Sequence, residues 1–285
     1  MPDDRRDAVR YGLIGVGKPS EVAAILDRLG PRMRLSCVYE PVGYLAPLVA
    51  EAAGVPVVRS VRHVTKRRGV QAAVVVSAGT IGVDLCRPLL GKNLPTLWLD
   101  PQTQFDPRWI AGGLAERDEL ATIVPAMTHR YAGSTLRLRE LLVGPLGRVA
   151  AIDGTYATGG GGNASATADR DLARLVDWCR WLTHPRVARE SGDRWTFSGA
   201  GVGPVTATLA PGDSDRLSLQ TERGTAELTV TSLRWQTGGG EWTETDLSEE
   251  RDALSVAADL FARRVIGGLV PTPTLDDVAA VLGAM

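Results

Sequence analysis

From Tyr11 to Ala126, short apolar runs alternate with stretches carrying an apolar stripe at helical spacing, and this alternation limits the fold more than any other feature. Tyr11–Gly15 reads as a buried strand. Val22, Ile25, Leu26 and Leu29 then fall at i, i+3, i+4 and i+7, which predicts a helix over Glu21–Leu29, stopped by Gly30. Leu35–Tyr39, Val57-Val58, Ala72–Val76, Leu97–Leu99 and Thr122–Ala126 are further apolar strands, with helical stretches at Leu45–Ala53, Ile81–Leu90 and Trp109–Glu116. Strands separated by helical spacers form a parallel sheet with helices on both faces. In such a sheet, ligands bind beyond the carboxyl ends of the strands.

The chain of 285 residues is long enough for two domains. Its formal net charge of −1 argues against nucleic acid or an anionic membrane surface as a partner. No apolar run approaches the roughly 18 residues of a spanning helix. MPDDRRDAVR has no apolar core of a secretory signal, so a cytoplasmic location is expected. Cys37, Cys86 and Cys179 are scattered and odd in number, as in a reduced protein. His63, His129 and His184 lack metal-ligand spacing, and no metal site is expected.

The first strand runs into Gly15-Val16-Gly17-Lys18-Pro19-Ser20. Glycines at this spacing permit a tight turn and close approach of a pyrophosphate. The following helix N-terminus offers N–H groups and partial positive charge. Glu40 ends the next strand, where an acid would hold a ribose diol. Gly15, Val16, Gly17, Lys18, Ser20 and Glu40 are therefore candidate cofactor ligands. Pro19 removes one possible donor from the cradle. The competing reading is that the glycines only turn the chain, Glu40 caps a helix and Lys18 is solvated.

After Met127 the alternation stops, giving expected domains at 1–126 and 127–285. Tyr131–Leu142 is a helix ended by Gly144-Pro145-Leu146-Gly147, Arg148–Tyr156 a strand, and Gly159–Gly162 a loop. Asp169–Leu182 is a helix, with Arg170, Arg174, Asp177 and Trp181 on one face. Strands follow at Arg194–Phe197, Val205–Leu209, Leu217–Thr221, Thr225–Thr231, Arg234–Thr237 and Glu241–Asp246, as in an open, mostly antiparallel sheet. Trp195, Trp235 and Trp242 place aromatics on this sheet, as half-buried core or as an interface. Glu249–Val265 reads as a helix, and a short one starts at Leu275. The expected fold class is therefore α/β, a parallel Rossmann sheet followed by an α+β domain.

This order of pieces resembles the glucose–fructose oxidoreductase and inositol dehydrogenase (Gfo/Idh/MocA) family over most of the chain. YGLIGVGKPS is similar to its nucleotide loop and VYEP to its ribose-binding strand end. AAVVVSAGT followed by GKNLPTLWLDP resembles the segment leading to a Glu-Lys-Pro signature. THRYAGSTLRLRELL, GPLGRVAAIDG and LFARRVIGGLVPTPTLDDVAAVL resemble the family's later elements. The resemblance implies an oxidoreductase using NAD or NADP on a small polar, sugar- or polyol-like substrate, with Ser77 and Pro101 beside the cofactor. It implies a homodimer or homotetramer through the C-terminal sheet. Glu40 would repel a 2′-phosphate, which favours NAD.

The family's lysine and its His-x-x-Asp histidine are both replaced. Leu99-Asp100-Pro101 stands for Glu-Lys-Pro, and Arg174-Leu175-Val176-Asp177 for His-x-x-Asp. Asp100, Arg174 and Asp177 become the catalytic candidates, with His129 and Tyr131 as substitute proton carriers. Asp100 serves as an acid or base only if burial or a neighbouring carboxylate lifts it toward neutrality. Arg174 supplies charge but is a poor proton donor. Two other readings follow from the replacements: a non-redox lyase, isomerase or cyclase, and an inactive partner protein on the same scaffold.

Overall fold

The computed structural model describes residues 8–16, 18–77, 87–99, 122–157, 164–199 and 202–285. The chain divides into two compact units, Met1–Met127 with Leu254–Val278, and Thr128–Ala253 with Ala279–Met285.

In the first unit β1 (Val9–Ile14), β2 (Met33–Tyr39), β3 (Ala72–Val75), β4 (Thr96–Trp98) and β5 (Ile123–Pro125) form a five-stranded sheet in the order β2-β1-β3-β4-β5. Every pairing is parallel. Val57, read as a short strand, makes only an isolated bridge to Val38. The described helices are α1 (Val22–Leu29), α2 (Ala46–Ala53), α3 (Val61–Lys66) and α4 (Arg87–Leu90). The sequence reading missed α3. It buries only Val61 and Val64, too few to register as a stripe. A Cβ on Gly12 would come within 2.3 Å of Val64 Cγ1, so glycine lets α3 close onto β1. The expected helix at Trp109–Glu116 and most of Ile81–Leu90 lie outside the described residues.

The first core joins Val9, Leu13, Val22, Ile25, Leu29, Val74 and Leu97 to Leu254, Ala258, Phe261 and Ala262. The last four lie on α7 (Ala253–Val265), after the described α5 (Gly133–Val143) and α6 (Ala164–Leu182). Residues 254–278, assigned from sequence to the second domain, thus belong to the first unit. Asp259 anchors α7 there by pairing with Arg32 at 2.9 Å. A helical stripe shows that a face is buried, not which core buries it. The last helix is α8 (Leu275–Leu282).

The second unit holds an eight-stranded sheet in the order β13-β12-β11-β10-β6-β9-β8-β7. Its strands are β6 (Val149–Ala157), β7 (Arg186–Ser191), β8 (Arg194–Gly199), β9 (Val202–Gly212), β10 (Arg216–Thr221), β11 (Gly224–Leu228), β12 (Ser232–Thr237) and β13 (Thr243–Asp246). Only β6–β9 is parallel. The edge strand β7 was not foreseen. Its side chains are almost all exposed, so it lacks the in–out alternation of a half-buried strand.

One sheet face packs Ile152, Leu217, Leu219, Val205, Leu209, Trp195 and Phe197 under α5 and α6. Trp195 is fully buried there and Trp235 packs on the same core, so neither marks an outer surface. Trp242 is exposed, with the Arg234 guanidinium 4.9 Å above its ring. The opposite face carries Asp153, Thr206, Thr208, Arg216, Gln220 and Arg234 as exposed residues, with Glu227 bonded to Arg216 and Arg234. This face is polar.

Candidate active site

In the parallel sheet the chain moves from β1 to β2 on one side and then to β3 on the other. The crevice at the carboxyl ends of β1 and β3 is therefore the topological switch point, the usual ligand site of such sheets. Gly15 and Ser77 flank it. Gly15 has φ +69°, and a Cβ there would sit 1.8 Å from the Ser77 carbonyl oxygen. Its N–H donates to the Tyr39 carbonyl at 2.9 Å. Only glycine satisfies both the left-handed backbone and this contact. Val16 is buried in the first core.

The entry to α1 differs from expectation. A 3₁₀ turn, Pro19–Glu21, precedes the helix. The Glu21 N–H donates to the Lys18 carbonyl and the Val22 N–H to the Pro19 carbonyl, so both bond within the turn and are not turned toward a phosphate. Proline at the first turn position fixes φ for this geometry. Ser20 is exposed, and Lys18 pairs with Glu21 at 3.0 Å on the surface. Glu40 is buried at the end of β2, its carboxylate accepting the Val42 N–H at 3.1 Å. Gly17, Asp100 and Pro101 lie outside the described residues.

The second unit assembles a polar cluster on α6. Arg130 and Asp177, 2% and 3% exposed, meet in a two-pronged pair: Nε to Oδ2 at 2.9 Å and Nη2 to Oδ1 at 2.5 Å. The Arg130 guanidinium also lies 4.7 Å over the Trp181 ring. Asp177, a catalytic candidate from sequence, is thereby the anchor of the 3₁₀ turn Thr128–Tyr131. Its contact with Arg180 is long, 4.0 Å.

Arg174 faces other partners. Its Nη2 is 2.8 Å from Asp171 and 3.6 Å from Asp215. Asp171 is 4% exposed and also meets Arg170 Nε at 3.3 Å. Asp215 lies in the short loop between β9 and β10. There it accepts the Ala157 N–H at the end of β6 at 2.9 Å, while Thr155 ties the same loop through the Ser214 carbonyl. Its other oxygen is 3.2 Å from His129 Nε2. The His129 ring lies 4.9 Å from that of Trp178, whose Nε1 donates to Thr135 Oγ1. Burial pushes the Asp215 carboxyl up. The hydrogen bonds from His129 and the Ala157 N–H, with the charges of His129 and Arg174, outweigh it and hold the group below its usual range. Asp215 was not singled out from sequence. It sits in an ordinary Gly-Asp-Ser-Asp turn, and only the fold brings it to His129.

Among the described residues no group of three or more His, Cys, Asp and Glu side chains is placed to hold a metal ion. No helix among them is long and apolar enough to cross a membrane.

No family model matches the chain, and no curated protein matches it. Solved structures do. UDP-N-acetylglucosamine 3-dehydrogenase from Acidithiobacillus ferrooxidans aligns over 97% of this chain and 95% of its own, with TM-score 0.74 and 17% identity. The chain has the fold of a sugar dehydrogenase. Myo-inositol dehydrogenase from Corynebacterium glutamicum aligns over 97% and 94%, with TM-score 0.73 and 17% identity. Levoglucosan dehydrogenase, solved with NADH and levoglucosan, aligns over 96% and 94%, with TM-score 0.71 and 14% identity. The parallel sheet followed by the mostly antiparallel one is thus the architecture of these dehydrogenases.

Proposed function

We propose that this chain is a nicotinamide-dependent oxidoreductase acting on a small polar, sugar- or polyol-like substrate, with a proton relay built differently from that of the family it resembles. The observation that carries this reading is the Gly15–Ser77 approach at the switch point of a sheet shared with sugar dehydrogenases. Two residues support it. The left-handed Gly15 puts no side chain of its own at the crevice mouth, and Glu40 stands at the strand end where an acid meets a ribose. Its negative charge favours NAD over NADP. Gly15, Val16, Gly17, Ser20, Glu40, Ser77 and Pro101 would hold the dinucleotide, with Lys18 at the rim. Bound, the nicotinamide supplies hydride exchange with a substrate carbon.

Asp100 remains a candidate acid or base. Arg174, a fixed cation held by Asp171 and Asp215, would stabilise oxyanion charge on the substrate. Asp177, engaged by Arg130, positions rather than reacts. Self-association through the polar sheet face, by charged pairs and Thr-rich strands, belongs to the same proposal.

Titration with NADH and NADPH, followed by nicotinamide fluorescence, tests it. Saturable binding, tighter for NADH, is expected. Binding of neither dinucleotide would overturn the reading. A non-redox enzyme on this scaffold is the second reading, favoured by the replacement of the family's lysine and histidine with Asp100 and Arg174. It requires turnover with no change in absorbance at the nicotinamide band.

A further inference from the structure

We infer that the second unit carries a binding cleft for a small organic acid, an anionic head on an apolar body, between the last turns of α5 and α6 and the first residues of β6. The cleft lies wholly within that unit and stands independently of the oxidoreductase reading.

Its volume is about 310 Å³, at the lower end of the roughly 300–1,000 Å³ of ligand pockets. Leu182 and Val205, both buried in the second core, supply its apolar part. Arg139, Arg148, His184 and Trp181 supply the polar part. Among the described residues no aspartate or glutamate lines it. The C-terminus of a helix bears partial negative charge, which would oppose an anion. Donors of the chain already answer both helix ends here. The Gly144 N–H donates to the Glu140 and Leu141 carbonyls at 3.2 Å, and the Thr183 N–H and hydroxyl donate to the Cys179 carbonyl at 3.0 and 2.7 Å.

Trp181 prepares the cation. Two guanidiniums lie over its ring, Arg130 at 4.7 Å and Arg139 at 4.5 Å from the centre. Arg130 has its carboxylate in Asp177. Arg139 has no such partner among the described residues, because the neighbouring Glu140 pairs with Arg137 at 2.6 Å. Glu222 bonds Arg148 at its backbone N–H, 3.2 Å, rather than at the guanidinium. A guanidinium stacked on an aromatic face keeps its N–H edge for a carboxylate or phosphate and has less freedom left to lose on binding. The Trp181 Nε1–H is buried without an acceptor among the described residues. An unpaired buried donor is costly, and an acid oxygen in the cleft would supply the acceptor. Gly199 seats the last polar group, since a Cβ there would lie 3.0 Å from His184 Nδ1. A neutral ligand would leave both arginines unpaired, and a bare inorganic anion would leave Leu182 and Val205 uncovered.

Titration of the full chain with phenylacetate and with phenyl phosphate tests the assignment, read from the indole N–H signals in 15N–1H spectra. Sequential assignment identifies Trp181 among the seven tryptophans. A saturable shift of its signal is expected with at least one of the two acids, and the tighter of them names the head group. R139Q with R148Q, both at exposed positions, should weaken binding by about tenfold or more, as expected for charge-assisted hydrogen bonds. R139K with R148K should lose less, because it keeps the charges and gives up only the fork. R137Q should change nothing. 2-Phenylethanol and inorganic phosphate should each bind about tenfold or more weakly than the better acid, for lack of charge or of body. A Trp181 signal that neither acid moves, a control compound that binds as well as the acids, or an unchanged affinity in R139Q with R148Q overturns the proposal. The two control compounds need no variant, so the decision stands even if a variant fails to fold.

Discussion

Replacing Asp177 by Asn would separate an anchoring role from a catalytic one. The carboxylate and Arg130 are 3% and 2% exposed and share two hydrogen bonds. Hydrogen bonds to charged groups contribute roughly 1.5–3 kcal/mol each, so the pair represents about 3–6 kcal/mol. Asn keeps one acceptor oxygen and loses the charge. Arg130 keeps its place over Trp181 but loses the carboxylate that takes its two-pronged pair. Removing one partner of a buried pair costs about 3–5 kcal/mol. That is a large share of the 5–15 kcal/mol that stabilises a typical fold. At about 2–4 °C per kcal/mol, the melting temperature should fall by roughly 6–20 °C in calorimetry. The double exchange Arg130→Met with Asp177→Leu should recover much of the loss, because it removes both members of the buried pair together. A D177N protein that melts within the ~0.5 kcal/mol of an ordinary surface change, yet has lost turnover, would refute the anchoring argument. It would return Asp177 to the chemistry.

Gly15→Ala should abolish NADH binding while the second unit keeps its structure. The left-handed backbone costs an alanine roughly 1–2 kcal/mol, and the clash with the Ser77 carbonyl adds to it. Dinucleotide titration together with hydrogen exchange of β6–β12 amides would check this. Acid should destabilise the second unit in a way that depends on Asp215 and Glu227. Burial raises each carboxyl, but for Asp215 the His129, Ala157 and Arg174 contacts, and for Glu227 those of Arg234 and Arg216, hold it below its unfolded value. Their contribution is present above the unfolded pKa of about 4 and is lost as pH falls through the lower folded values. Urea unfolding between neutral and acid pH should show a shallower loss in D215N than in the wild type. Cys37 and Cys179 are fully buried, and burial pushes both thiols up. Neither should react with a maleimide in native protein near neutrality, and both should label on unfolding, as mapped by mass spectrometry.

The alternating apolar runs from Tyr11 to Ala126 determined the parallel sheet without help from the rest of the chain. Each strand announces itself by local composition, and the order of strands and helices leaves few ways to assemble them. The period of two in Val205–Leu209 and Leu217–Thr221 likewise determined which side chains of the second sheet face its core. Asp177 and Arg174 were legible as helix-face residues, but their partners were not. Their i, i+3 spacing allows them to pair with each other, whereas the fold gives Asp177 to Arg130 and Arg174 to Asp171 and Asp215. Asp215 lies 86 residues from His129, and no local pattern can report a contact across that separation. The return of α7 to the first core is of the same kind, since an amphipathic stripe is satisfied by any apolar surface of matching shape. Local periodicity determined the elements. Only the packed chain, in which a buried charge must find its counter-ion and a buried face its core, decided which residues meet.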